Sequence, residues 1–167
     1  MKEGFKMNFF VSVFVFASAS ALTSLSANAD YVGRFAKYVT TVKSANSAEV
    51  KVGESTIRVI ALDLVLQKYS VNYTNSDSQG VPDQSSAQMS AAELDAQTQG
   101  TIFNHCSDNN GVSSIGISVK GTLFQSCLIK SSNTEMYIGL VPFSVLKSVS
   151  TSYDGKVYTT TLVDYQF

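Results

Sequence analysis

The chain has 167 residues, 44% apolar and 15% charged, with 12 Lys and Arg against 13 Asp and Glu, two Cys, one His and no Trp. A charged fraction below the roughly 25% of average globular chains excludes a self-repelling disordered tail, and the length bounds the molecule at about one domain. No basic stripe exists, which speaks against nucleic acid as a partner.

Lys2 and Lys6 precede an apolar stretch from Phe9 to Leu22, and a small-residue tract then ends in Ala27-Asn28-Ala29. This is the layout of a secretory signal peptide over residues 1–29, with cleavage expected between Ala29 and Asp30. The apolar stretch is 14 residues long and includes Ser12, Ser18 and Ser20, short of the roughly 20 residues that span a bilayer. The expectation is one exported domain, 30–167, periplasmic or extracellular. Removing Lys2, Lys6 and Glu3 leaves 10 basic and 12 acidic side chains, so the mature charge is about −2.

Val, Ile, Thr, Tyr and Phe dominate after residue 30, and their branched or aromatic side chains suit a pleated surface better than a helix. The first segment, from Tyr31 to Val42, fits helical spacing too, but Val39-Thr40-Thr41-Val42 and Gly33 favour a strand. AEVKV, a turn at Gly53-Glu54-Ser55, and the run TIRVIALDLVLQKYSVNYT predict two or three strands, with a bend at Asp63. Asn72-Tyr73-Thr74 matches a glycosylation acceptor.

The tract from Thr74 to Gly100 is polar throughout and reads as a long loop without a core strand. Inside it, Ser90-Ala91-Ala92-Glu93 has the spacing of a capping box, so a short helix is expected over about 91–97. This loop, with Tyr73 and Tyr137 as exposed aromatic side chains, is the candidate binding surface.

Gly100-Thr101-Ile102-Phe103-Asn104-His105-Cys106 recurs as Gly121-Thr122-Leu123-Phe124-Gln125-Ser126-Cys127, one pair of copies being too few for a solenoid. Between them, Ile115, Ile117 and Val119 alternate with Ser and Gly as in a half-buried strand, flanked by turn signals at Asn109-Asn110-Gly111 and Lys120-Gly121. An exported chain favours a disulfide between Cys106 and Cys127. In a simple meander the two cysteine strands would be next-neighbours near 10 Å apart, beyond the roughly 7 Å limit between bridged Cα atoms. Cys106 is therefore expected beyond its strand, at the entrance to a Ser107-Asp108 turn.

EMYIGLV continues the pattern until Pro142 ends it. SVLKSVSTSY and KVYTTTLVDYQF flank Asp154-Gly155, a signal for a two-residue turn. That register would set Leu146 opposite Val163 and Ser144 opposite Tyr165, with Ser148, Ser150, Thr159 and Thr161 on the same face.

The fold class that follows is mainly β: an antiparallel barrel or two-layer sandwich of about 7–9 strands, with a short helix in a long polar loop. Catalytic signals are sparse. His105 is the one histidine, the nucleophile-elbow pattern is absent, and neighbouring His105 and Cys106 would face opposite ways on a strand. No metal-ligand spacing or phosphate-cradling glycine loop occurs, so no cofactor is expected. Asp63, Glu49, Glu135 and Asp164 are the acids that a hydrolase would have to gather.

The chain closes on Tyr165-Gln166-Phe167, which resembles the terminal signature of bacterial outer-membrane β-barrels; that resemblance implies a small membrane-inserted barrel. The preferred expectation is a binding or structural module with an unidentified ligand or protein partner. An outer-membrane barrel and an extracytoplasmic hydrolase are the alternatives.

Overall fold

The structure, a computed structural model, describes residues 31–98, 101–108 and 110–167. The expected leader and its cleavage point at Ala29 and Asp30 lie outside them. Among the described residues nine strands form one antiparallel sheet: β1 (Phe35–Lys43), β2 (Val50–Asp63), β3 (Lys68–Asp77), β4 (Pro82–Ser90), β5 (Gly111–Val119), β6 (Thr122–Ser131), β7 (Thr134–Ile138), β8 (Val145–Thr151) and β9 (Val157–Gln166). Their spatial order is β4-β3-β2-β1-β9-β8-β7-β6-β5. The mainly β fold is as expected, in one sheet that does not close: β4 and β5 are its edges. Helices α1 (Ala91–Thr98) and α2 (Thr101–Asn104) lead from one edge to the other. Among the described residues no helix is long and apolar enough to cross a membrane.

Alternation along the strands decides which face is inner. Ala36, Tyr38 and Thr40 on β1, Val59 on β2, Tyr69 and Val71 on β3, Leu146 on β8 and Leu162 on β9 are all buried. Leu94 of α1 and the loop residues Val141 and Phe143 cover this face and join its core. Tyr31 secures the cover, because its hydroxyl donates to Asp95 of α1 and its ring meets Tyr69 edge-on at 5.0 Å. Register shifts leave an extra residue at Val52 and Ile60 of β2, Val163 of β9 and Leu146 of β8, and interrupt β5 between Ser114 and Ile117; such irregularities bend strands. The sheet curls enough for the β5–β6 hairpin to reach β9, with Phe124 against Tyr165 at 5.4 Å and Lys120 bonded to Asp164 at 2.8 Å.

Several expectations are corrected. β2 runs straight through Gly53-Glu54-Ser55 without a turn. Gly53 instead permits a close backbone approach, since a Cβ there would lie 2.6 Å from the Ser76 carbonyl oxygen. The polar 74–100 tract contains the expected helix but is not otherwise a loop: its first residues finish β3, and 82–90 form β4. As an edge strand with mostly exposed side chains, β4 needs no apolar face. The two copies of the short repeat differ in conformation, residues 101–104 being helical and 122–131 extended.

The β8–β9 register is also one residue away from the expected one. Ser152 N–H donates to Lys156 at 2.9 Å, and Gly155 N–H returns to Ser152 at 3.0 Å. With Gly155 at φ +77°, this is a three-residue loop ending in a left-handed glycine. Ser148 consequently faces Thr160 and Lys147 faces Thr161. A one-residue slip exchanges faces, so Leu162 enters the core at 1% exposure while Val163 turns outward at 38%.

Candidate functional site

The disulfide forms between Cys106 and Cys127, with Cα atoms 5.7 Å apart. Cys106 leaves the sheet altogether, in the turn after α2, which resolves the spacing conflict of a meander. Gly111 makes the approach feasible: its N–H donates to the Cys106 carbonyl at 2.7 Å, and a Cβ there would collide with the Cys127 sulfur and lie only 2.8 Å from that of Cys106. A shallow cleft of about 660 Å³ beside the bridge is lined by Phe103, Ser107, Val112 and Gln125, among others. It gathers no charged side chain.

Tyr73 and Tyr137 are not brought together. Tyr73 pairs with Ile57, which pairs with buried Ala36, so it belongs to the inner face; burial raises its pKa. Tyr137 pairs with Lys147, in register with Thr161; Lys147 lies over its ring at 5.8 Å, and the ring is half-buried against the edge of the core. Four strands separate them.

The four acids are also dispersed. Glu49 precedes β2, where it accepts from Thr41, and Asp63 ends it, so this 14-residue strand separates them by about 40 Å. Glu135 is paired with Lys130 at 2.7 Å and Asp164 with Lys120 at 2.8 Å. His105 meets Asp108 at 3.0 Å on the surface. Among the described residues no group of three His, Cys, Asp or Glu could hold a metal. The outer face carries ion pairs instead: Lys37 and Lys51 both reach Glu54, at 2.8 and 2.5 Å, and their hydrogen bonds lower its pKa to about 2. A lipid-facing band on β1 and β2 would have to immerse these charges.

The most unusual surface is the β2–β3 hairpin tip. Asp63 and Lys68 form its last pair, leaving Leu64, Val65, Leu66 and Gln67 as the connection. Leu64 is 79%, Val65 90% and Leu66 60% exposed, and Ile60 and Leu62 on the approach are exposed as well. Leaving three aliphatic side chains in water forgoes about 1.5–3 kcal/mol each relative to burial. The turn itself is well made: Asp63 Oδ1 accepts from Val65 N–H at 2.9 Å and Leu66 N–H at 3.0 Å, and Gln67 takes φ +51°. The bend expected at Asp63 is this turn, whereas the exposure of its aliphatic tip was not anticipated. Asp63 followed by three aliphatics was the available signal, an Asx turn placed inside an apolar run.

The tip lies at the end of the sheet where the described chain begins. Gly33 N–H donates to Val59 at 2.9 Å and Val59 N–H to Arg34 at 2.9 Å, so residues 31–34 run beside the base of the hairpin. Val32 is exposed there, and Phe167 follows Gln166 at the same end, where Gln166 pairs with Phe35.

No family model matches the chain, and no curated protein does. Among solved structures, MucB in complex with MucA(peri) is similar at 10% identity and TM-score 0.42, over 80% of this chain and 50% of that one. The chain thus spans half the length of that protein. A LolA-superfamily protein from Nitrosomonas europaea aligns at 7% identity and TM-score 0.24, over 83% and 87% of the two chains. A de novo designed fluorescence-activating β-barrel aligns at 11% identity and TM-score 0.22, over 78% and 91%. Likenesses this loose assign neither a family nor a ligand.

Proposed function

We propose that the chain is an exported, disulfide-pinned β-domain that acts by binding, and that its contact surface is the apolar end formed by the β2–β3 tip. The carrying observation is the run Leu64-Val65-Leu66, held in an ordered turn and yet left in solvent. Other exposed apolar side chains, such as Val81, Val112 and Leu123, are not part of such a consecutive run, and contiguous exposed apolar surface marks an interaction site. Export is supported by the leader-like residues 1–29 and by the Cys106–Cys127 bridge, which belongs to oxidising compartments. The acids and the histidine are scattered and locally paired, which supports binding over hydrolysis. The open sheet and the charged outer face weigh against insertion as a barrel.

The test is fractionation of the protein from the producing cell, wild type beside Leu64→Ser/Val65→Ser/Leu66→Ser. The wild type is expected in a larger species or with membranes, and the triple variant as a free folded monomer. A wild type that is itself a free monomer in every exported fraction would refute the reading.

A further inference from the structure

We infer that the surface engaged by the apolar end is a lipid bilayer, into which the β2–β3 tip inserts as a shallow wedge. This rests on the reading of that end as the contact surface and names its partner.

The first argument is the chemistry of the tip. Leu64, Val65 and Leu66 are consecutive, aliphatic and convex, without a polar side chain among them to specify a protein groove. Entry into an apolar phase is opposed chiefly by backbone groups stripped of water. Here the Val65 and Leu66 amides already donate to Asp63 Oδ1, so two of those groups carry their partner with them. Exposed Lys68 stands at the base of the turn, where a long cationic side chain can keep its ammonium at the headgroup level.

The second argument is where the preceding chain enters. Tyr31 lies against Tyr69, and Gly33 bonds to Val59, both at the base of this hairpin. Between Tyr31 and the apolar stretch ending at Leu22 there are eight residues, a tether of at most about 30 Å. Whenever that stretch occupies a membrane, as a leader does during export, the end of the sheet that carries the tip is the end tethered toward the lipid. Among the described residues the other end of the sheet has no comparable run. Insertion of the tip would keep the domain at the surface after its leader has gone.

Because the chain lacks tryptophan, one introduced indole reports its own environment. Val65→Trp places it at the tip, and Val81→Trp, at an exposed position in the β3–β4 turn, places it at the far end of the sheet. The exported protein, its N-terminus established by mass, is mixed with vesicles of phosphatidylethanolamine and phosphatidylglycerol, with and without brominated acyl chains. The Val65→Trp emission is expected to move to shorter wavelength and to be quenched by bromine, with the Val81→Trp emission unchanged. An unshifted, unquenched Val65→Trp overturns the proposal, and so does an equal response at both positions. If Val65→Trp stays in water while the wild type still fractionates in a larger species and the triple serine variant does not, the bilayer is refuted and the binding reading stands. If the wild type is a free monomer and Val65→Trp shows no response, both fall.

Discussion

Tyr38 shows how much a single side chain can cost in this fold. Its ring fills the inner face of β1, but its hydroxyl is buried and has no hydrogen-bond partner among the described residues, and burial raises its pKa. An unsatisfied buried hydroxyl costs about 1–3 kcal/mol. Tyr38→Phe keeps the ring and removes that cost, so it is expected to stabilise the protein by about 1 kcal/mol, read as a higher urea midpoint at an unchanged slope. A lower midpoint would mean that the hydroxyl is satisfied in solution. At this scale the sequence was informative about covalent chemistry and poor about surfaces. Two cysteines behind a leader-like segment were expected to pair, and Cys106 and Cys127 are bonded. Tyr73 and Tyr137 looked like a shared surface because composition carries no information about which face a side chain takes.

The short helix α1 is held at its start by reciprocal bonds that the S-x-x-E spacing anticipates. Ser90 Oγ accepts from Glu93 N–H at 3.3 Å, while Glu93 Oε2 accepts from Ser90 N–H at 2.7 Å and from the Ser90 hydroxyl at 2.9 Å. Those bonds hold the Glu93 pKa below its ordinary value. Ser90→Ala is expected to destabilise the protein by about 1 kcal/mol and to move the Glu93 carboxyl titration upward, measured by carboxyl chemical shift against pH. No change in either would remove the capping box as a support of the cover. Turn elements were legible where backbone geometry demands special residues: Lys120 at φ +51° and Gly121 at +81° turn β5 into β6 as their sequence suggests. Asp154-Gly155 marked a turn but not its length, because the same pair serves two- and three-residue loops. β4 was illegible for a physical reason: an edge strand with exposed side chains has no alternation of polarity to detect.

At the scale of the molecule, the disulfide joins the turn after α2 to β6, the strand next to the β5 edge. It therefore fixes the return path from one edge of the sheet to the other. Closing a loop of about 20 residues contributes roughly 3 kcal/mol. Cys106→Ser/Cys127→Ser is expected to lose about that amount, with hydrogen-exchange protection falling first in β5 and in residues 101–108, while β1–β3 stay protected. A uniform loss across all strands would instead show that the bridge supports the whole sheet. Strand content was readable from composition, since β-branched and aromatic residues recur along the chain. The openness of the sheet was not, because nothing local reveals that β4 and β5 fail to meet.

The pairing of β1 with β9 has a consequence for how the chain comes to be folded. Thr40 and Thr160 touch at 2.9 Å across 120 residues of sequence, so the centre of the sheet is a seam between the first strand and the last. A polypeptide threaded through a translocation channel from its leading end would deliver β1 to β4 early, with β1 as a bare ladder. That ladder would await its mate until nearly everything else had emerged. Bare ladders recruit foreign strands, and such distant pairings form slowly, so the interval before β9 arrives is when the nascent molecule most needs shielding.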